Sequence, residues 1–184
     1  MHRFLYFLFF YAISNACNAV TDDTPHRSPN GAFAIHNIGD IAQRNHYFEI
    51  KTKEGAVLLS SNSDTWRRTG TDVPTYADDI LWSSDSQFVL FSFNDSKQKG
   101  ACVYSLPARK ILSVFRVDDG YTVPIRWVSA RTFIIKDSTP MGGKALGGVH
   151  ISRKTYRIRF EPLTLECVYT SPTIVTPKVS YASP

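Results

Sequence analysis

The residues able to carry chemistry are few and scattered. His26, His36, His46 and His150 show no His-x-His or His-x-x-x-His spacing and have no cysteine pair nearby, whereas zinc needs three or four ligands converging at bonding distance. Surface or turn positions suit these histidines better than a metal site. No Gly-x-Ser-x-Gly elbow is present to push a serine out of a strained strand-to-helix turn. Cys102 and Cys167, each in the local sequence Cys-Val-Tyr, sit in apolar strand-like runs without the electropositive surroundings that activate a thiol. In an oxidising compartment this pair could form a disulfide. Two buried free thiols are the alternative, and the Cα separation decides between them. The carboxylate pairs Asp22-Asp23, Asp78-Asp79 and Asp118-Asp119 are acid and base candidates by type. Neighbours on an extended strand face opposite ways, however, and Asp118-Asp119-Gly120 reads as a turn. No catalytic set, metal site or cofactor motif follows.

Two segments remain as binding candidates. Residues 137 to 148 place four glycines around Lys144, so a long hairpin connection there could offer backbone N–H groups and one charge to an anion. It is not a P-loop, which needs Ser or Thr after the lysine where this chain has Ala145. The second segment carries Arg153, Lys154, Arg157 and Arg159. Strand alternation puts Arg157 and Arg159 on one face and Tyr156, Ile158 and Phe160 on the other, the pattern of a half-solvated strand. Lys144, Arg157 and Arg159 are therefore the residues expected to meet a ligand or partner.

The elements that must position these residues are short strands. Phe33 to Ile35, Tyr47 to Ile50, Ala56 to Leu59, Phe88 to Phe93, Ala101 to Tyr104, Ile111 to Phe115, Thr132 to Ile135 and Tyr156 to Phe160 are rich in β-branched and aromatic residues. Turn signals separate them, among them Pro29-Asn30-Gly31, Lys53-Glu54-Gly55 and Asp118-Asp119-Gly120. This is the pattern of an antiparallel all-β domain. An internal repeat organises it. The run from Ser28 to Ile35 aligns with Ser83 to Leu90, and Trp82, which precedes the second copy, aligns with Trp127 ahead of Phe133-Ile134-Ile135. Each copy leads into an alternating hairpin, over Tyr47 to Leu59, Ala101 to Phe115 and Tyr156 to Tyr169. Three repeats at this spacing match four-stranded propeller blades.

The pattern Trp-Ser-x-Asp-Ser-x-Phe-Val-Leu-Phe at residues 82 to 91, followed by a strand ending Val-Tyr-Ser-Leu, resembles the WD40-like blades of TolB and prolyl-oligopeptidase type β-propellers. In that family a Ser-Pro-Asp-Gly turn joins one strand to the next, with the Trp packed beside it. Ser28-Pro29-Asn30-Gly31 is close to that form, Ser83-Ser84-Asp85-Ser86 more distant, and Ser129-Ala130-Arg131 has lost it. The resemblance implies architecture, since such propellers host many functions. Closed propellers have four to eight blades. Three repeats thus imply an open or incomplete propeller, with a β-sandwich as the alternative and an oligomer as one way of covering the edges.

The ends and the charge complete the expectation. Met1-His2-Arg3, the apolar run Phe4 to Ile13 and the small-residue exit ending at Ala19 have the three parts of an export signal, and the run is too short to span a bilayer. Residues 1–19 are read as a signal peptide, 20–170 as one all-β repeat domain and 171–184 as a C-terminal tail or late edge strand. A lipoprotein anchored at Cys17 is the minor alternative, because Ala16 precedes that cysteine but Ser14 stands where an aliphatic residue belongs. Without Arg3, 20 Lys and Arg face 16 Asp and Glu, a net charge of +4 spread along the chain. That distribution argues against a nucleic-acid partner. The expectation is a periplasmic or secreted, non-enzymatic binding or scaffold protein without a transmembrane segment after cleavage. Its partner would be another protein or a cell-envelope component. The alternatives are a secreted hydrolase using loop carboxylates and an inhibitor or toxin-neutralising protein.

Overall fold

Alternating apolar residues between turn signals give strands whose two faces have different destinations, and the order of those strands defines the architecture. In the computed structural model, residues 25–39, 45–71, 75–94, 98–140 and 149–176 are described. The expected signal peptide, Cys17, Asp22-Asp23, Lys144 with its glycines, and the last eight residues lie outside them.

The first unit is a four-stranded antiparallel sheet of β1 (His26–Arg27), β2 (Phe33–Ile38), β3 (Tyr47–Thr52) and β4 (Val57–Ser60). A short helix, α1 (Asp64–Arg67), follows, capped by the Ser63 side chain. The second unit is β5 (Ala77–Trp82), β6 (Phe88–Asn94), β7 (Lys99–Ser105) and β8 (Lys110–Phe115). The third is β9 (Tyr121–Ser129), β10 (Thr132–Pro140), β11 (Val149–Phe160) and β12 (Leu163–Thr170). Residues Ile174–Thr176 form β13, which continues the β12 edge along the start of β11. The tail thus begins as the late edge strand. Within each unit the strands pair with their sequence neighbours, and one parallel pairing, Lys99 with Tyr121, joins the second and third units into a nine-stranded sheet.

The strand pattern and the repeat are observed as expected. Ser28 and Ser83 build the same turn. Each hydroxyl donates to the Asx side chain two residues on (Asn30, 2.9 Å; Asp85, 2.7 Å) and accepts the N–H five residues on (Phe33 and Phe88, both 3.0 Å). Gly31 has φ +68°, and its counterpart Ser86 takes φ +57° without being glycine. The backbone therefore dictates the turn more strictly than residue type does.

The sheets stack. On β6, Val89, Phe91 and Phe93 join Ile35, Phe48, Ile50 and Leu59 of the first unit in one buried cluster, while Phe88 and Leu90 on the opposite face join Phe133, Ile135 and Ile158 of the third. The second sheet is covered on both faces, which a two-layer sandwich does not provide. The fold is an open stack of three blade-like sheets. Trp82 packs against the cluster of the preceding sheet, and Trp127 does the same one unit later, 6.2 Å from Phe88 by ring centroid, with its N–H on the Leu81 carbonyl at 2.9 Å. In the first repeat the equivalent residue is Arg27, which is exposed, as suits a sheet with no other before it among the described residues.

Two expectations are corrected. The repeat alignment holds at Trp127 but slips after it. The third turn is two residues, with Ser129 opposite Thr132 and a register shift beside it, so Phe133 faces the second sheet where its aligned partner Phe88 faces the third. A one-residue change reverses the face of every later side chain. The glycine-rich connection is also shorter than expected, because Asp137 to Pro140 extend β10 and pair with Val149 to Ser152.

Candidate ligand and partner sites

Two regions gather polar chemistry, and both belong to the third sheet. The first lies on its inner face. Inward alternation places Phe133, Ile135, Asp137 and Thr139 in line on β10, and the register sets Tyr156, Lys154, Ser152 and His150 opposite them on β11. The aromatic half packs on the second sheet. The polar half borders a cavity of about 300 Å³ lined by Asp137, Thr139, His150, Ser152, Lys154 and Thr173, with Val117 of the β8–β9 connection as its apolar wall. Asp137, 6% exposed, accepts the Thr122 hydroxyl at 2.7 Å and pairs with the Lys154 ammonium at 2.7 Å. The bond to Asp137 raises the Lys154 pKa above its ordinary value, against the opposing effect of burial. A buried carboxylate with a hydroxyl donor and a cation beside it is fixed in orientation.

The second region is the outer face of the same sheet. Pairing puts Arg126 opposite Ile134, Val123 opposite Lys136 and Lys136 opposite Arg153, and places Arg157 opposite Glu166. Arg126, Lys136, Arg153, Arg157 and Arg159 thus share one face with the exposed Tyr121 and Tyr169. The Lys136 ammonium stands 5.7 Å from the Tyr121 ring centroid. On this face Glu166 is engaged by the Arg159 guanidinium at 2.7 and 2.8 Å. Arg157 and Arg159 are brought together as alternation requires, whereas Arg126 and Lys136 join them only through strand pairing.

The remaining sequence candidates lie outside these two regions. Asp78 and Asp79 do not diverge as neighbours on a regular strand would. A register shift in β5, with Asp79 at φ +45°, turns both toward Lys99, whose ammonium is 3.9 Å from Asp78 and 2.8 Å from Asp79. Burial works to raise the Asp79 pKa, but the bonds from Lys99 and Ser92 outweigh it and hold the carboxyl below its usual range. A general acid needs the opposite shift. Cys102 and Cys167 are free thiols: Cys102 is buried in the cluster between the first two sheets, which pushes its pKa up, and Cys167 is exposed on edge strand β12. Of the two readings left open by the sequence, the bridge is not formed, because the two side chains belong to different layers of the stack. His46 stacks on Tyr76 at 4.7 Å, and His36 lies on the outer face of the first sheet, where burial and then Lys51 and Arg27 lower its pKa. Among the described residues no three His, Cys, Asp or Glu side chains gather into a cation site, and no helix is long and apolar enough to cross a membrane.

No protein-family model matches the sequence, and no curated protein matches it. Among solved structures the chain is similar to the β-propeller domain of the Trilobed protease from Pyrococcus furiosus, described as having an open velcro topology. The TM-score is 0.45 at 10% identity, over 85% of this chain and 53% of the other. The chain thus spans about half the length of that domain. The stacked-sheet fold rests on this chain's own strand order, register and cores.

Proposed function

We propose that this is an exported, non-enzymatic binding or scaffold protein that engages an acidic protein partner through the outer face of its third sheet. One observation carries the reading: that face gathers Arg126, Lys136, Arg153, Arg157 and Arg159, with Glu166 among them engaged by Arg159, while apolar clusters pack the two inner interfaces between the sheets. Like charges gathered on a solvated face repel one another, and an acidic surface relieves that repulsion and steers association. The aromatic members of the face, Tyr121 and Tyr169, favour a second reading within the same class, an inhibitor or neutralising protein that covers a partner's site. The paired turns at Ser28 and Ser83 support assignment of the repeats to the TolB and prolyl-oligopeptidase type. Export rests on the Phe4 to Ile13 run and places the protein in the periplasm or outside the cell.

The test is capture and crosslinking from the native envelope or secreted fraction with the wild type and with Arg153→Glu/Arg157→Glu. The expected result is one acidic protein crosslinked to the outer face, bound in a salt-dependent way and lost in the variant. Equal capture by both proteins overturns the reading. Mass spectrometry of the exported product should begin at Val20.

A further inference from the structure

We infer that the cavity on the inner face of the third sheet, beside the β8–β9 connection, is a binding site for a neutral, polyhydroxylated ligand of monosaccharide size. The inference is independent of the partner face, which is the opposite side of the same sheet.

Three features carry it. The first is unused hydrogen-bonding capacity. The hydroxyls of Thr139, Ser152 and Thr173 and the ring of His150 line the cavity, and none makes a side-chain hydrogen bond within the described residues. The Lys154 ammonium has three donors and directs one to Asp137. Polar side chains placed along one wall with no protein partner are the groups that orient a small ligand.

The second feature is charge. Asp137 and Lys154 stand 2.7 Å apart and cancel one another. An anion entering beside Lys154 would meet the Asp137 carboxylate at the same depth, and a cation beside Asp137 would meet the ammonium. A sugar hydroxyl avoids both penalties, because it donates to the carboxylate and accepts from the ammonium at once. Neighbouring ring hydroxyls can then reach Ser152, Thr139 and His150.

The third feature is shape and rigidity. A volume of about 300 Å³ lies at the small end of ligand pockets. Asp137, Thr139, His150, Ser152 and Lys154 of the lining sit on paired strands β10 and β11, and Asp137 is locked from behind by Thr122. A site on strands with an anchored charged pair is preorganised.

The test titrates the full mature protein with glucose, galactose and N-acetylglucosamine up to roughly 50 mM, following amide NMR shifts of residues 137 to 139 and 150 to 154. At least one sugar is expected to shift these amides saturably. Ser152→Ala and Thr139→Val should each weaken that binding about five- to tenfold, the loss of one hydrogen bond, with Tm unchanged because neither hydroxyl has a protein partner to lose. Three results overturn the inference: no sugar shifts these amides, the shifts persist unweakened in both variants, or inorganic phosphate or glycine binds there more tightly than every sugar.

Discussion

The two interfaces of the stack are built from the same repeat and end differently. Between the first and second sheets, the connection from β4 to β5 is long enough to form α1, and α1 drives Trp66 into the gap. Its ring lies 5.0 Å from Phe48 and 5.0 Å from Phe93, and it is fully buried. Between the second and third sheets, five residues join Phe115 to Tyr121 and no helix enters. Val117 is what that connection contributes. Counting from the tryptophans, with the slip of the third turn included, Asp137 occupies the place of Phe93. One interface is therefore sealed by aromatic packing at the end where the other opens into a polar cavity. A repeat fixes where sheets meet, and the connections between them decide whether the meeting is filled.

The largest test of this contrast is Trp66→Ala. Removing a fully buried indole should cost about 3–5 kcal/mol, lowering Tm by roughly 10 °C or more for a domain of this size. Phe133→Ala, in the packed half of the second interface, should cost a similar amount, and thermal melts followed by circular dichroism measure both. A Trp66→Ala loss under about 1 kcal/mol would mean that α1 does not seal the first interface.

Next is Asp137→Asn. It keeps an acceptor for Thr122 but removes the charge facing Lys154, a pair that is neither fully buried nor fully solvated. The expected cost is about 1–2 kcal/mol, between the values for exposed and buried pairs, read as a shift of the urea midpoint at unchanged slope. The same variant tests the pH dependence. The folded state raises the Lys154 pKa above 10.5, so it binds the proton more tightly than the unfolded chain. Its contribution is complete below the unfolded pKa and is lost as pH rises through the folded one. Wild type should lose stability in that alkaline window, and Asp137→Asn should lose less of it. Tyr104, pushed up to about 12 by burial, contributes in the same direction in both proteins and so drops out of the difference.

How much of this could be read from the sequence differs by scale. The strands and the three repeats were legible because alternation and turn residues are local signals, and the Ser28 and Ser83 turns are local enough to match bond for bond. Trp66 was not legible: a four-residue helix has no periodicity to detect, and the tryptophan carries no repeat partner. Nor was the cavity, whose lining comes from positions 117, 137, 139, 150, 152, 154 and 173 and is brought together by the pairing of β10 with β11. Arg157 and Arg159 were visible as one alternating run. Arg126 and Lys136 join them across two ladders, and the face of each strand depends on the bulges between 132 and 135, which sequence alternation does not show.

The smallest effect concerns the turns that hold the first interface in register. The Asn30 N–H donates to the Ser86 hydroxyl at 3.2 Å, linking the first turn to the second across the gap. Ser86→Gly should relieve about 1–2 kcal/mol of left-handed strain. It also forfeits that hydrogen bond, about 0.5–1.5 kcal/mol, and loosens the unfolded chain by about 0.4–1 kcal/mol. The opposing terms nearly cancel, so Tm should move by no more than a few degrees. Gly31→Ala meets open space, with nothing within 4 Å of the added methyl, yet it must adopt φ +68° and should cost about 1–2 kcal/mol. If Ser86→Gly destabilises as much as Gly31→Ala, the cross-interface bond outweighs the backbone strain, and the two turns act as a clasp. If Ser86→Gly instead stabilises the protein, strain relief is unopposed, each turn serves only its own sheet, and Trp66 with its aromatic neighbours holds the first interface alone.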